Sequence, residues 1–224
     1  MSGGRATSHL TPVGGALWAV AAPLVRGISR ARWKLAVRHL EPLPAPPFIL
    51  AGNHPSSIDP VVVGAVHRHP VMFLAVDELY GKHAALDVAL QVFGAVEVPR
   101  AGVPLGAMRS ALDHLRGGGV VGVFPEGTRV PRFGDGIVKP GAAWLAARAG
   151  VPLVPVALEG TDEAFSMDLR FGRGSIRMVT GPPMRAGGPS RSHVDELMGR
   201  WQAWVCRELE ASGGERPSPP LAFG

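Results

Sequence analysis

"LAGNHPSSIDPVVV", residues 50–63, decides how this chain is read. The apolar run Phe48 to Ala51 reads as a short strand, and Pro60 opens an apolar stretch that reads as a helix. His54 and Asp59 lie on the turn between them. Asp59 directly before Pro60 is placed as a helix N-cap, since Pro is favoured at the first helical position. A carboxylate has two oxygens, so the same Asp can accept a helix N–H and an imidazole N–H together. Held at one ring nitrogen, a histidine has a fixed tautomer and a more basic second nitrogen. The capping and catalytic readings of Asp59 are therefore compatible.

Short apolar runs alternate with helical patterns beyond this turn. "VMFLAV" from Val71 is predicted as a strand, Asp77 to Val92 as a helix and "AVEV" from Ala95 as a further strand. Leu105, Met108, Leu112 and Leu115 recur at helical spacing, and Gly117 to Gly119 end that helix. "VVGVF", residues 120–124, is apolar on both faces, as a buried central strand should be. A helix from Gly141 closes at Gly150. Strands follow from Val151 and Ser175, and then a last helix with Val194, Leu197, Met198, Trp201, Val205 and Leu209 on one face. Ser192 and Asp195 resemble a capping box at its start. This alternation predicts a layered α/β fold with a largely parallel central sheet flanked by helices, whose ligands collect at the carboxyl ends of the strands.

Those ends carry the remaining candidates. "VFPEGTRVPR", residues 123–132, leaves the central strand through Pro125, Glu126 and Gly127, with Arg129 beyond. Arg and Gly at such an exit suit the close approach of an anion. "GAVEVPRAG" places Arg100 at another strand end, and Lys139 precedes the small-residue helix start at Gly141. Each cation alone fits an ordinary surface charge; together they can converge on a phosphate. No G-x-S-x-G elbow, Walker loop or zincin pattern occurs.

Composition narrows the classes further. The 224 residues carry a formal net charge of +5, with 46% hydrophobic and 18% charged residues, so the chain is globular and moderately basic. With one Tyr and no dense Lys/Arg run interleaved with aromatics, a nucleic-acid partner is disfavoured. The single cysteine, Cys206, allows no disulfide within the chain and points to a reducing compartment. The N-terminal apolar stretch from Val13 to Val25 is too short for a spanning helix, which needs roughly 20 residues. Trp18, Trp33 and the basic residues Arg26, Arg30, Arg32, Lys34 and Arg38 suit an amphipathic helix lying in a membrane interface instead. Residues 1–40 are therefore assigned to a membrane-surface element, 41–47 to a Pro-rich linker, 48–211 to the main domain and 212–224 to a flexible tail.

The combination of motifs resembles the glycerolipid acyltransferases. "NHPSSIDP" matches their H-x-x-x-x-D motif and "FPEGTR" their second hallmark. "GAVEVPR" and "VPLVPVALEG" are similar to the intervening and following blocks, in family order over roughly Phe48 to Pro183. The closest likeness is to the 1-acyl-sn-glycerol-3-phosphate acyltransferases, which make phosphatidic acid. The resemblance implies that His54 is a general base oriented by Asp59. It also implies that Glu126, Gly127, Thr128 and Arg129 bind the acceptor, with Arg100 and then Lys139 as further phosphate partners. The donor would be acyl-CoA or acyl carrier protein as co-substrate, with no cofactor and no metal. The enzyme would work peripherally on the cytoplasmic face of the membrane. Another lysophospholipid, a glycolipid or an acylated amino-acid lipid remains open as acceptor, as does a non-enzymatic lipid-binding role. The chain departs from many relatives at Val76 and Asp77, where they carry a lysine.

Overall fold

The computed structural model describes residues 12–76, 95–98, 105–166, 168 and 170–213. Its strands are β1 (Ala36–His39), β2 (Phe48–Gly52), β3 (Val71–Val76), β4 (Ala95–Val98), β5 (Val120–Val123), β6 (Leu153–Glu159) and β7 (Arg177–Thr180). Its helices are α1 (Pro12–Trp33), α2 (Asp59–Val66), α3 (Leu105–Arg116), α4 (Gly141–Ala149), α5 (Thr161–Ala164) and α6 (Arg191–Ala211). The helix expected over Asp77 to Val92 falls outside the described residues, as does the tail beyond 213.

The strands form one sheet in the order β1-β7-β6-β2-β5-β3-β4. Every neighbouring pair is parallel except β6 with β7. The fold is thus the expected α/β layering around a mostly parallel sheet. Its inner strands are apolar at successive positions because helices cover both faces. On β2, Ile49 and Ala51 point into the core shared with α3, α4 and α6, while Phe48 and Leu50 point into the opposite core with Val63 of α2. β6 divides in the same way, with Leu153 and Ala157 on one side and Val154, Val156 and Leu158 on the other. Full burial of each such Val or Leu is worth about 1.5–3 kcal/mol. Trp201 of α6 is fully buried and donates its indole N–H to the Ala51 carbonyl at 2.8 Å, which locks α6 to the strand leading into the turn.

Three expectations change. Ala36–His39, assigned to the N-terminal element, is an edge strand paired with β7. Residues 41–47 therefore connect two strands of one sheet and mark no boundary. "AVRH" is too short and too polar to announce a strand, and the exposed edge of β7 supplies the pairing. The last helix is capped by Ser190, whose hydroxyl accepts the His193 N–H, and not by Ser192. Asp59 is the first residue of α2 and does not cap it; Ile58 occupies the cap position without a side-chain bond. By contrast Gly150 closes α4 as expected, with φ of 68°.

α1 packs on α2 through Ala22, which meets Ala65, with Trp18, Ala21 and Val25 beside it. Ser29 and Trp33 continue this buried side. The other side shows Leu17, Val20, Leu24 and Ile28 to solvent at 53%, 73%, 62% and 50% exposure, a continuous apolar stripe at helical spacing. No helix among the described residues is long and apolar enough to cross a membrane.

Candidate active site

β6, β2 and β5 are adjacent and parallel, so their carboxyl ends open side by side. His54 follows β2 in the middle of this group, with the 124–130 loop leaving β5 on one side and the β6–α5 connection on the other. Asn53 prepares the turn. Its buried amide donates to the Leu158 carbonyl at 2.9 Å and accepts the Leu158 N–H at 2.8 Å, extending the β2–β6 ladder one residue past Gly52.

His54 Nδ1 lies 2.7 Å from Asp59 Oδ2. The same carboxylate oxygen accepts the Ser56 N–H at 2.8 Å, so Asp59 turns back into the loop, which is why it does not cap α2. Asp59 is completely buried, whereas the His54 side chain keeps 12% exposure. Burial pushes the Asp59 carboxyl upward; the bond and charge of His54 oppose this most, with smaller help from the Thr161 hydroxyl and the Ser56 N–H. Asp59 Oδ1 and Thr161 Oγ1 each lack a bond of standard geometry, yet the hydroxyl is close enough to favour the carboxylate. A positive charge arising on His54 would meet a carboxylate that water cannot screen.

The backbone of His54 is held on both sides by the loop after β5. Its N–H donates to Glu126 Oε2 at 2.6 Å, and its carbonyl accepts the Val130 N–H at 2.9 Å. The imidazole stacks on Phe124 at 4.2 Å between centroids, and Phe124 stacks in turn on Phe73 at 5.8 Å. Gly122 permits this column, since a Cβ there would fall 2.2 Å from the Phe73 ring. One ring face and one ring nitrogen of His54 are thereby occupied, leaving Nε2 as the atom available for proton transfer.

Glu126 stands behind His54 and not on an exposed surface: it is 3% exposed and its Oε1 has no partner. Burial drives its carboxyl up to about 8; the His54 N–H pulls it down, and the charge of Asp59 adds to the rise. Gly127, Thr128 and Lys139 are exposed, and Arg129 is half-buried. Arg129 donates to Ser57 Oγ at 2.7 Å, which ties the guanidinium to the His54 segment. Lys139 lies over Gly127, its Nζ 2.8 Å from where a Cβ would stand, and its N–H reaches the Pro125 carbonyl at 2.8 Å. Gly127 itself has φ of 65°. Two cations thus flank the exit next to His54. Arg100 lies outside the described residues, and its strand β4 is three places from β2.

The sequence reading did not assign Asn53, Ser57 and Phe124 to the site. No local pattern in the sequence links Ser57 to Arg129. The partner of each is distant in sequence.

Comparison with known proteins identifies the family of the chain. The family model "Acyltransferase" matches residues 34–159, which include both loops. The 1-acyl-sn-glycerol-3-phosphate acyltransferase of Pseudomonas aeruginosa is 28% identical over 187 residues, covering 83% of this chain and 72% of that protein. That of Bacillus subtilis is 27% identical over 155 residues, with 68% and 75% covered. The crystal structure of the 1-acyl-sn-glycerophosphate (LPA) acyltransferase PlsC from Thermotoga maritima superposes with a TM-score of 0.65 at 23% identity, over 87% of this chain and 80% of that one, and shares the fold. With the match spanning more than half of the sequence, the chain belongs to the acyltransferase family.

Proposed function

We propose that this acyltransferase moves a fatty acyl group from acyl-CoA or acyl carrier protein to the free hydroxyl of 1-acyl-sn-glycerol-3-phosphate, giving phosphatidic acid. The carrying observation is the 2.7 Å contact between His54 Nδ1 and the fully buried Asp59, beside Arg129 and Lys139. With Asp59 ionised, Nδ1 carries the proton and Nε2 is the base. Nε2 takes the acceptor hydroxyl proton as that oxygen attacks the thioester carbonyl. The C–O bond forms, the C–S bond breaks, and the thiolate leaves with the proton available on His54. A thioester is already activated, so one positioned base and a bound acceptor suffice. Arg129 and Lys139 bind the acceptor phosphate, Gly127 and Thr128 lining its approach, while Glu126 positions His54 through the backbone. The apolar stripe of α1 lies on the cytoplasmic face of a membrane, from which a water-insoluble acceptor enters.

The test is labelled acyl transfer with a panel of acceptors. Lysophosphatidate should be acylated, and His54→Ala should lower kcat about 10²- to 10⁴-fold. Transfer only to a different lysolipid would refute the acceptor, and undiminished activity in the variant would refute the mechanism.

A further inference from the structure

The segment after α5 folds back as a small hairpin. Phe165 and Phe171 form a bridge, and the Ser166 N–H donates to the Arg170 carbonyl at 3.0 Å. The Phe171 ring meets Phe165 at 4.9 Å and the buried Trp33 at 6.0 Å, and the Trp33 indole donates to the Gly172 carbonyl at 3.3 Å. Closing over Trp33 uses only part of Phe171, which remains 71% exposed. Arg170 and Arg173 flank it and are exposed; Arg32 lies over the Trp33 ring at 6.0 Å. Exposed Asp168 and Glu163 oppose these charges in part. An aromatic side chain left in water between two arginines, beside the last turn of α1, has the composition of an interfacial contact.

We propose that the two segments joined at the Phe165–Phe171 bridge form a second lipid-docking element, with Phe171 entering the interfacial layer of an anionic bilayer and Arg170 and Arg173 meeting its phosphates. It builds on the reading of α1 as an interfacial helix. A single helix lying in an interface leaves the molecule free to roll about that helix. A second contact beside Trp33 removes this freedom. Its consequence reaches the site, because the Ser56 hydroxyl donates to the Phe165 carbonyl at 2.7 Å. The hairpin is thus bonded to the segment that carries His54, and docking it sets how the site faces the lipid.

Flotation of the full chain with phosphatidylcholine vesicles, with and without phosphatidylglycerol and in the absence of acyl donor, tests this. Phe171→Ala should weaken binding to both compositions about tenfold. Arg170→Ala with Arg173→Ala, which leaves the aromatic stack untouched, should weaken binding to the anionic vesicles alone, by about fivefold per arginine. Both proteins should acylate a dispersed short-chain acceptor at the unaltered chain's rate. Unchanged vesicle binding in either protein would overturn the proposal, and so would equal loss by the arginine variant on neutral vesicles. Because binding is read without turnover, failure of the acceptor assignment would leave this result standing.

Discussion

At the scale of single residues, the site depends on which polar groups lose water. Asp59 and Glu126 are both buried within one cluster around His54, and they are used differently. Asp59 contacts the imidazole, whereas Glu126 contacts the His54 backbone N–H. Burial and the neighbouring Asp59 favour the neutral form of Glu126, whose carboxyl is driven to about 8. Because the folded value lies above that of the unfolded chain, Glu126 binds more protons in the folded state. Its contribution is fully present below about pH 4.5 and is lost as pH rises through about 8. Thermal melts should therefore show stability falling over this window, and Glu126→Gln, which keeps an acceptor for the His54 N–H, should flatten the dependence. An unaltered slope in the variant would refute a neutral buried Glu126. Asp59 illustrates the limit of local reading. Its place before Pro60 indicates a cap, but the Ser56 N–H and His54 draw its carboxylate back into the loop. A capping rule describes the nearest donors and does not register a stronger pair of them behind the residue.

At the scale of elements, the loop from Phe124 to Val130 acts as the second half of the site. It grips the His54 backbone at two points, carries Arg129 and lies under Lys139 at Gly127. Its turn depends on Gly127, where φ of 65° is costly for any residue with a Cβ and the space is already taken by Lys139. Gly127→Ala should displace Lys139 and raise KM for the phosphorylated acceptor by about tenfold, with a smaller change in kcat; steady-state kinetics over acceptor concentration will show the split. Equal KM in the variant would separate Lys139 from acceptor binding. Most elements were readable in advance because their signals are local: apolar runs for β3 and β5, helical spacing for α3, a left-handed glycine after α4. β1 was not, since its four residues are stabilised by the edge of β7, far along the chain. The start of α6 was misplaced by two residues because Ser190 and Ser192 both carry cap-competent hydroxyls. Only the backbone geometry selects between them.

For the whole molecule, the exposed stripe of α1 and the placement of β1 have to be considered together. Removing residues 1–40 is no test of the proposed membrane role of α1, because it would strip an edge strand and the buried Trp33 from the fold. Val20→Glu with Leu24→Glu instead places charge on the exposed stripe without touching the side that packs on α2. Vesicle binding should fall at least tenfold while the melting temperature changes little; retained binding would refute the role of α1. The order of motifs, the alternation of strands and helices and the identities of His54, Asp59 and Arg129 were determined by the sequence alone. The alternation rests on short-range periodicity, and the motif order and site residues rest on the resemblance to the acyltransferase motifs. Only the tertiary structure decided that Glu126 faces the His54 backbone, that Ser57 holds Arg129 and that Asn53 joins β2 to β6. These contacts are formed by segments that are distant in sequence and meet only where adjacent parallel strands end. Their physical basis is the burial of polar groups, whose partners are chosen by what the packed sheet brings within hydrogen-bond distance.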